Sequence, residues 1–394
     1  MIHRNIYLEQ FSYYKDSELV KVIVWQRRVG KSTLLLQIKD LYLSSGYHQD
    51  DIIYINKELP EYQYSITNDG ELYDTIKSYK VILIDEIQDI LQREKTIRGL
   101  VATGWYQIVI TWSNSTLLSW ELSSYLAGRY ISIYVGSYSL SEFMQAHQLS
   151  DPEKARKLYL EHGSAPYFRD ADFSKGPEYY KMLIDTIILR DISLRYDVRN
   201  IALLQLLLRY IASVVWWVIS AHSITKSLKQ QAIKLSNTTI VEYIRFLKQC
   251  FVVHGVMRED IRGKRILEDA QKLYFTDHGL RNTLVGWLTK DHRAGVLENI
   301  VYNHLRIHWR EITVGQHTQE IDFIAKKEGK EIYIQVTYSI SSDETHEREF
   351  RSLQSLHNNR PKYILHTDDY GINYSPREWI IYLHIIDFCL GRGW

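Results

Sequence analysis

Four residues, Gly30-Lys31-Ser32-Thr33, constrain this chain more than any others, because an apolar stretch from Leu19 to Val24 precedes them and a helix-forming run from Leu34 to Leu43 follows. A strand that turns through Gly-Lys-Ser/Thr into a helix presents unpaired backbone N–H groups to an anion, and its lysine reaches the outer phosphates of a nucleotide. The donors would come from Arg27, Arg28, Val29, Gly30, Lys31, Ser32 and Thr33, with the Ser32 hydroxyl as a magnesium ligand. The full pattern, G-x-x-x-x-G-K-[ST], asks for glycine at position 25, where this chain has Trp25.

A lone Gly-Lys-Ser is common by chance, and a second signal gives it weight. Lys80-Val81-Ile82-Leu83-Ile84-Asp85-Glu86 is a short apolar strand ending in two acids, the form of a buried central strand that delivers carboxylates to a sheet edge. Asp85 would hold magnesium through water, and Glu86 would orient or deprotonate an attacking water. Taken alone, the same run is also what a core strand looks like where it stops at charged residues.

Further strand-like runs at Val20–Val24, Asp51–Asn56, Gln107–Thr111 and Tyr130–Val135 alternate with helical stretches. That alternation predicts an α/β fold, a mainly parallel sheet with ligands at the carboxyl ends of its strands, where Lys31, Asp85 and Ser113 converge. Along the chain, one extra strand, Ile52–Asn56, lies between the phosphate-loop strand and the acidic strand. The fourth strand ends in Thr111-Trp112-Ser113-Asn114-Ser115, and Asn114 either helps position the water or belongs to an ordinary strand-to-helix cap. Arg129, just before the fifth strand, is either a guanidinium aimed at the transferred phosphate or a surface arginine.

At 394 residues the chain is too long for one ordinary core, and two to four domains are expected. With 48 Lys and Arg against 47 Asp and Glu, no global field draws it to nucleic acid, so any such contact needs a local patch. The two cysteines, Cys250 and Cys389, lie far apart with no partner at metal-ligand spacing, which argues against zinc and a disulfide framework and for a reducing cytoplasm. The first residues lack the apolar core of a signal peptide. Ile201–Ser220 is apolar enough to suggest a membrane span, but Gln205, Arg209 and Ser213 share one helical face. A central arginine costs roughly 2.5–3.5 kcal/mol on insertion, so an amphipathic buried helix is expected and no membrane.

Four regions follow: a P-loop core over residues 1–150, a helical lid over 151–199, a winged helix over 200–285 and a small α/β domain over 286–394. In the third, a helix opening at Ser236-Asn237 would be surrounded by Lys226, Lys229, Lys234, Arg245 and Lys248, with Val252–Met257 and Lys272–Thr276 paired as wing strands. Such a unit either enters a DNA major groove or packs between domains. In the fourth, Glu298 sits on a helix, and Glu320–Ile324 and Glu331–Thr337 form a hairpin around Gly329. Two acids plus a third and a lysine on that frame would assemble a metal-dependent nuclease site.

Together these segments resemble a prokaryotic family of AAA-type P-loop ATPases that carry a winged helix and a C-terminal restriction-endonuclease-like domain of unknown function. The most specific pieces are Arg27–Thr33, Leu83–Gln88, Ser113-Asn114-Ser115, Leu126–Tyr130, Tyr274–Asp277, Leu297-Glu298-Asn299 and Glu320–Phe323. The resemblance implies ATP and Mg2+ as cofactors, with Lys31 on phosphate, Ser32 and Asp85 on magnesium and Glu86 hydrolytic. It also implies glycine at the positions of Trp25 and Trp112, and an acid and a lysine where this chain has Gln335 and Thr337, so the last domain is expected to bind or assemble rather than cut. The function expected is a magnesium-dependent ATPase acting as a molecular switch, and the alternative is a non-hydrolysing DNA-binding or protein-interaction regulator with a degenerate P-loop. Candidate partners are ATP, duplex DNA, and a protein or second copy of the chain.

Overall fold

Five runs rich in valine, isoleucine and leucine build the first sheet: β1 (Val20–Val24), β2 (Ile52–Asn56), β3 (Val81–Asp85), β4 (Gln107–Trp112) and β5 (Tyr130–Tyr134). All neighbours are parallel, in the order β2-β3-β4-β1-β5. Every residue of β1 and β3 is buried, as expected where crossover helices cover both faces of a parallel sheet. Lys21 is the polar exception on β1. Its Nζ donates to the Ser17 carbonyl and to Gln107 Oε1, both at 2.6 Å, and burial brings its pKa down to about 8.

The computed structural model describes residues 2–113, 126, 128–167, 172–198, 200–230, 233, 235–263, 265–286, 293–340, 343–369 and 379–394. They form two compact units, Met1–Ser137 with Gln249–Phe251, and Tyr138–Lys248 with Val252–Trp394.

Along the chain Ile52–Asn56 falls between β1 and β3 as read, but lateral order is a separate matter. Ile52–Asn56 is the edge strand beside β3, and the strand between β1 and β3 is β4. Succession along the chain does not set neighbours in a parallel sheet, because a crossover helix can carry the chain past intervening positions. The consequence is functional: the end of β4 lies between the phosphate loop and the acids of β3.

The second unit opens with helices. Leu140–Ala146 starts on a capping box between Ser139 and Glu142, and Pro152–His162 starts on Asp151 with proline in its first turn. Gly163 ends the latter at φ +84°, where an added Cβ would lie 2.6 Å from Gly279 Cα. After the helix Gly176–Thr186 and a π turn over Ile187–Ser193 come helices Ile201–Ser213, Ala221–Gln230 and Asn237–Gln249. The first of these ends at Ser213, and among the described residues no helix is long and apolar enough to cross a membrane.

The strands β6 (Val218–Ile219), β7 (Val253–Asp260), β8 (Arg265–Phe275), β9 (Glu311–Gln316), β10 (Glu320–Lys327), β11 (Lys330–Val336), β12 (Lys362–His366) and β13 (Ile380–His384) form one mixed sheet. Its order is β13-β12-β11-β10-β9-β7-β8-β6, joining strands from both sides of residue 285. The expected pairing of β7 with β8 is present. So is the hairpin of β10 and β11, whose turn residues Glu328 and Gly329 have φ +51° and +78°. Two successive left-handed residues give the primed turn that matches strand twist.

Candidate functional site

The loop between β1 and the helix Lys31–Ser44 contains two left-handed residues, Arg28 at φ +64° and Gly30 at φ +92°. Left-handed turns at a helix start gather backbone N–H groups into an anion-binding concavity. The loop is held by a residue that the sequence did not single out. Arg4, 2% exposed, donates from Nη1 to the Val29 carbonyl and from Nη2 to the Gly136 carbonyl, both at 2.9 Å. A Cβ at position 30 would meet that Nη1 only at an ordinary contact distance of 3.5 Å, so it is the left-handed turn at φ +92° that calls for glycine.

Lys31 is buried and folds back on the loop entrance, its Nζ donating to the carbonyls of Gln26 at 2.8 Å and Trp25 at 3.2 Å. Its charge also acts on Asp85 and Glu86, and Ser32 hydrogen-bonds Asp85. The structure therefore brings Lys31, Ser32, Asp85, Glu86 and Ser113 together. Arg27 contributes charge to Glu86, Val29 is buried, and Thr33 and exposed Ser32 sit in the first turn of the helix.

Thr111, fully buried at the end of β4, organises the acids. Its hydroxyl donates to Asp85 Oδ1 at 2.5 Å and accepts the Glu86 N–H at 2.8 Å. Glu86 has φ +56°, a conformation that costs a non-glycine residue about 1–2 kcal/mol and that this bond helps to hold. The Ser113 hydroxyl is 2.6 and 2.8 Å from the two Glu86 carboxylate oxygens, and the Gln88 side-chain amide donates to one of them. Thr111 was visible as a polar residue ending an apolar strand, but its role depends on β4 lying beside β3.

The two acids differ electrostatically. Burial pushes the Asp85 pKa up, and the hydrogen bonds from Ser32 and Thr111 only partly oppose it. Burial is also the largest influence on Glu86 and works upward, but Lys31, Ser113, Arg27 and Gln88 together outweigh it and hold that carboxyl below its ordinary value. Glu86 is thus ionised at neutral pH, as a water-orienting base must be.

Neither indole is loose. Trp25 is 3% exposed, stacked on Phe251 at 5.6 Å between ring centroids and edge-on to Tyr134 at 6.2 Å, all within the same unit. Trp112 is 1% exposed, with the Arg93 guanidinium 4.8 Å from its ring centroid.

Arg129 is placed elsewhere, which corrects its expected role at this chain's own phosphate. The Val20 N–H donates to the Arg129 carbonyl at 3.0 Å, and Val20 pairs with Tyr130. Because β1 and β5 are parallel, Arg129 lies exposed at their amino ends, about 15 Å of strand from the phosphate loop. A run of sequence just before a strand names an edge of the sheet, and here it is the wrong edge. Asn114 and Ser115 lie outside the described residues.

Among the described residues no three His, Cys, Asp or Glu side chains are grouped to hold a metal ion. A hydroxyl and a carboxylate side by side, as at Ser32 and Asp85, nevertheless suit magnesium, which takes few protein ligands and completes its shell with phosphate and water.

The family profile described as an AAA domain matches residues 17–144, and one described as a domain of unknown function (DUF8612) matches residues 153–291. The chain is 32% identical over 403 residues to an uncharacterized protein of Haemophilus influenzae, covering 99% of each chain. It is 29% identical over 380 residues to the uncharacterized protein MJ1544 of Methanocaldococcus jannaschii, covering 89% of this chain and 82% of that one. Among solved structures it is similar to AMPPCP-bound DnaA from Aquifex aeolicus, with a TM-score of 0.32 and 15% identity over 61% of this chain and 85% of that one.

Proposed function

The chain belongs to the family of that full-length Haemophilus influenzae protein and carries a P-loop AAA-type domain, and from this premise we propose that it is an ATP-hydrolysing switch. The backbone of residues 27–33 binds the phosphates, and Lys31 leaves the loop carbonyls to meet them. Ser32 and Asp85 are the residues that would hold magnesium, and the ion would supply positive charge against the β and γ phosphates. Glu86 orients the attacking water and takes its proton, with Ser113 holding the carboxylate and Thr111 the backbone behind it. Asn114, two residues after Trp112, is the further candidate for positioning that water. The observation that carries this function is geometric: the Glu86 carboxylate is buried, held 2.6 and 2.8 Å from the Ser113 hydroxyl, and adjoins Asp85, which Ser32 hydrogen-bonds.

Phosphate release by wild type, Lys31→Ala and Glu86→Gln tests it. Glu86→Gln should lose on the order of 10²–10⁴ in rate while still binding nucleotide, and Lys31→Ala should lose binding. Equal rates in all three proteins would reject hydrolysis at this site.

A second role has its own support. The order helix, β6, helix, helix, β7, β8, with β6 antiparallel to β8 and β8 to β7, supports reading this part as a winged helix, a unit that can meet duplex DNA. Lys226, Lys229 and Arg245 are exposed on its helices, whereas half-buried Lys248 donates to Gln271 Oε1 and is removed from the set of phosphate contacts; Lys234 is outside the described residues. Duplex binding that weakens steeply with salt, and less steeply in Lys226→Ala/Lys229→Ala, supports this role, and salt-independent binding or none opposes it. On this view, residues 151–199 form the lid and residues 286–394 a nuclease-like frame that responds to nucleotide.

A further inference from the structure

The frame expected for a metal-dependent nuclease does place acids together, but around an ammonium. Lys272 on β8 is 1% exposed, and its Nζ lies 2.6 Å from Glu298 Oε1, 2.8 Å from Glu320 Oε1 and 3.5 Å from Asp322 Oδ1. Glu298 comes from the helix Arg293–His308 and the other two acids from β10. The Tyr274 hydroxyl, also on β8, donates to the same Glu298 oxygen. The second oxygen of Asp322 accepts the Val336 N–H at 2.8 Å, and its backbone N–H reaches Gln335 Oε1 at 3.4 Å. Thr337, where the resemblance implies a lysine, donates instead to the Ser339 carbonyl at 3.2 Å.

These residues do not fit a bound divalent ion, because the point where three carboxylates converge is occupied by Nζ. We propose that Lys272 is a built-in substitute for a divalent cation, holding the helix, β8 and β10 together and closing the carboxylate cluster to metal. These carboxylates, which have no lysine at position 337, are thus met by one from β8, used as a counter-ion. Only Glu298 Oε1, at 2.6 Å, reaches the about 2.3–2.6 Å that calcium requires, while Glu320 Oε1 at 2.8 Å and Asp322 Oδ1 at 3.5 Å lie farther out, so a hard cation replacing the ammonium must draw these carboxylates inward. Removal also strands buried carboxylates, which is strongly destabilising, and a bound cation should reverse that loss.

The test uses the full chain without nucleotide, in wild type, Lys272→Ala and Lys272→Ala/Asp322→Asn. Terbium is the probe, because its emission is sensitised by a nearby phenol such as Tyr274, and calcium competition reports the affinity. Lys272→Ala should gain one calcium-competed terbium site, at least about 100-fold tighter than any in wild type, together with a calcium-dependent rise in Tm. The double variant should lose both. If Lys272→Ala does not fold without added ion, refolding on calcium addition supports the proposal, and Lys272→Gln replaces it where refolding fails. A wild-type site that binds terbium at this cluster, or folded Lys272→Ala and Lys272→Gln proteins that gain no site, would overturn the assignment.

Discussion

Thr111→Val isolates the contact on which the arrangement of both acids depends. Valine keeps the β-branch and nearly the volume of a side chain with no exposed surface, and deletes one hydroxyl. Two bonds go with it, to the Asp85 carboxylate at 2.5 Å and from the Glu86 N–H at 2.8 Å. Orphaning a buried N–H costs about 1–3 kcal/mol, and losing a bond to a charged group about 1.5–3 kcal/mol. Removing a desolvated hydroxyl returns about 1 kcal/mol, leaving a net loss of about 1.5–5 kcal/mol. Glu86 also loses an anchor for its left-handed backbone, and Asp85, already raised by burial, loses one of the bonds that lower its pKa. Amide hydrogen exchange at Glu86 should therefore be roughly 10- to 5,000-fold faster in Thr111→Val than in wild type, since about 1.36 kcal/mol is tenfold. Thr111→Ser keeps the hydroxyl and is the control: it should retain most of the protection and of the phosphate release that Thr111→Val loses. Exchange at Glu86 that is the same in the valine and serine variants would refute the reasoning.

Trp25 stands where the loop pattern asks for glycine, yet its ring is packed against Phe251 and Tyr134, so Trp25→Ala should cost about 3–5 kcal/mol in stability rather than open a better nucleotide pocket. Thermal denaturation paired with nucleotide calorimetry decides it, and unchanged stability with tighter binding would show the indole to be an obstruction. Acid should weaken the fold through buried histidines. His366 is 2% exposed, and burial first, then the neighbouring His384 charge, bring its pKa down to about 4 against the opposing pull of Asp368. The unfolded chain binds the extra proton between that value and about 6.5, so the stability contributed by neutral His366 is full above that range and is lost as pH falls through it, by about 1.4 kcal/mol at pH 5.5. Burial acts in the same direction on His254, whose pKa falls to about 3. Urea midpoints at pH 7.5 and 5.5 should show a smaller drop for His366→Gln than for wild type; an equal drop would remove this residue from the acid response.

What was legible in the sequence was whatever the chain writes locally. Gly30 through Thr33 and Asp85-Glu86 announce themselves because the chemistry of each needs neighbouring residues on one strand end or one helix start, and the structure brings Lys31, Ser32, Asp85 and Glu86 to a common place. What was not legible depends on which strands lie side by side. β4 rather than β2 separates the loop from the acids, and that order turns Thr111 from a polar strand end into the residue that ties Asp85 to the Glu86 backbone. Arg4 was hidden for the same reason: it holds the loop through the carbonyls of Val29 and Gly136, and backbone acceptors leave no mark in a sequence. Lys272 completes the pattern, since a carboxylate distinguishes a cation by distance and desolvation, not by its place in a motif. Spacing rules find a lysine two residues from its acid; they do not find one that reaches Glu298 and Asp322 from another strand. The positions where a motif departs from its pattern, Trp25 and Thr337, are accordingly where tertiary neighbours must be consulted before loss of function is inferred. At Trp25 the side chain is absorbed into packing, and the carboxylates that find no lysine at position 337 are met by Lys272 from β8.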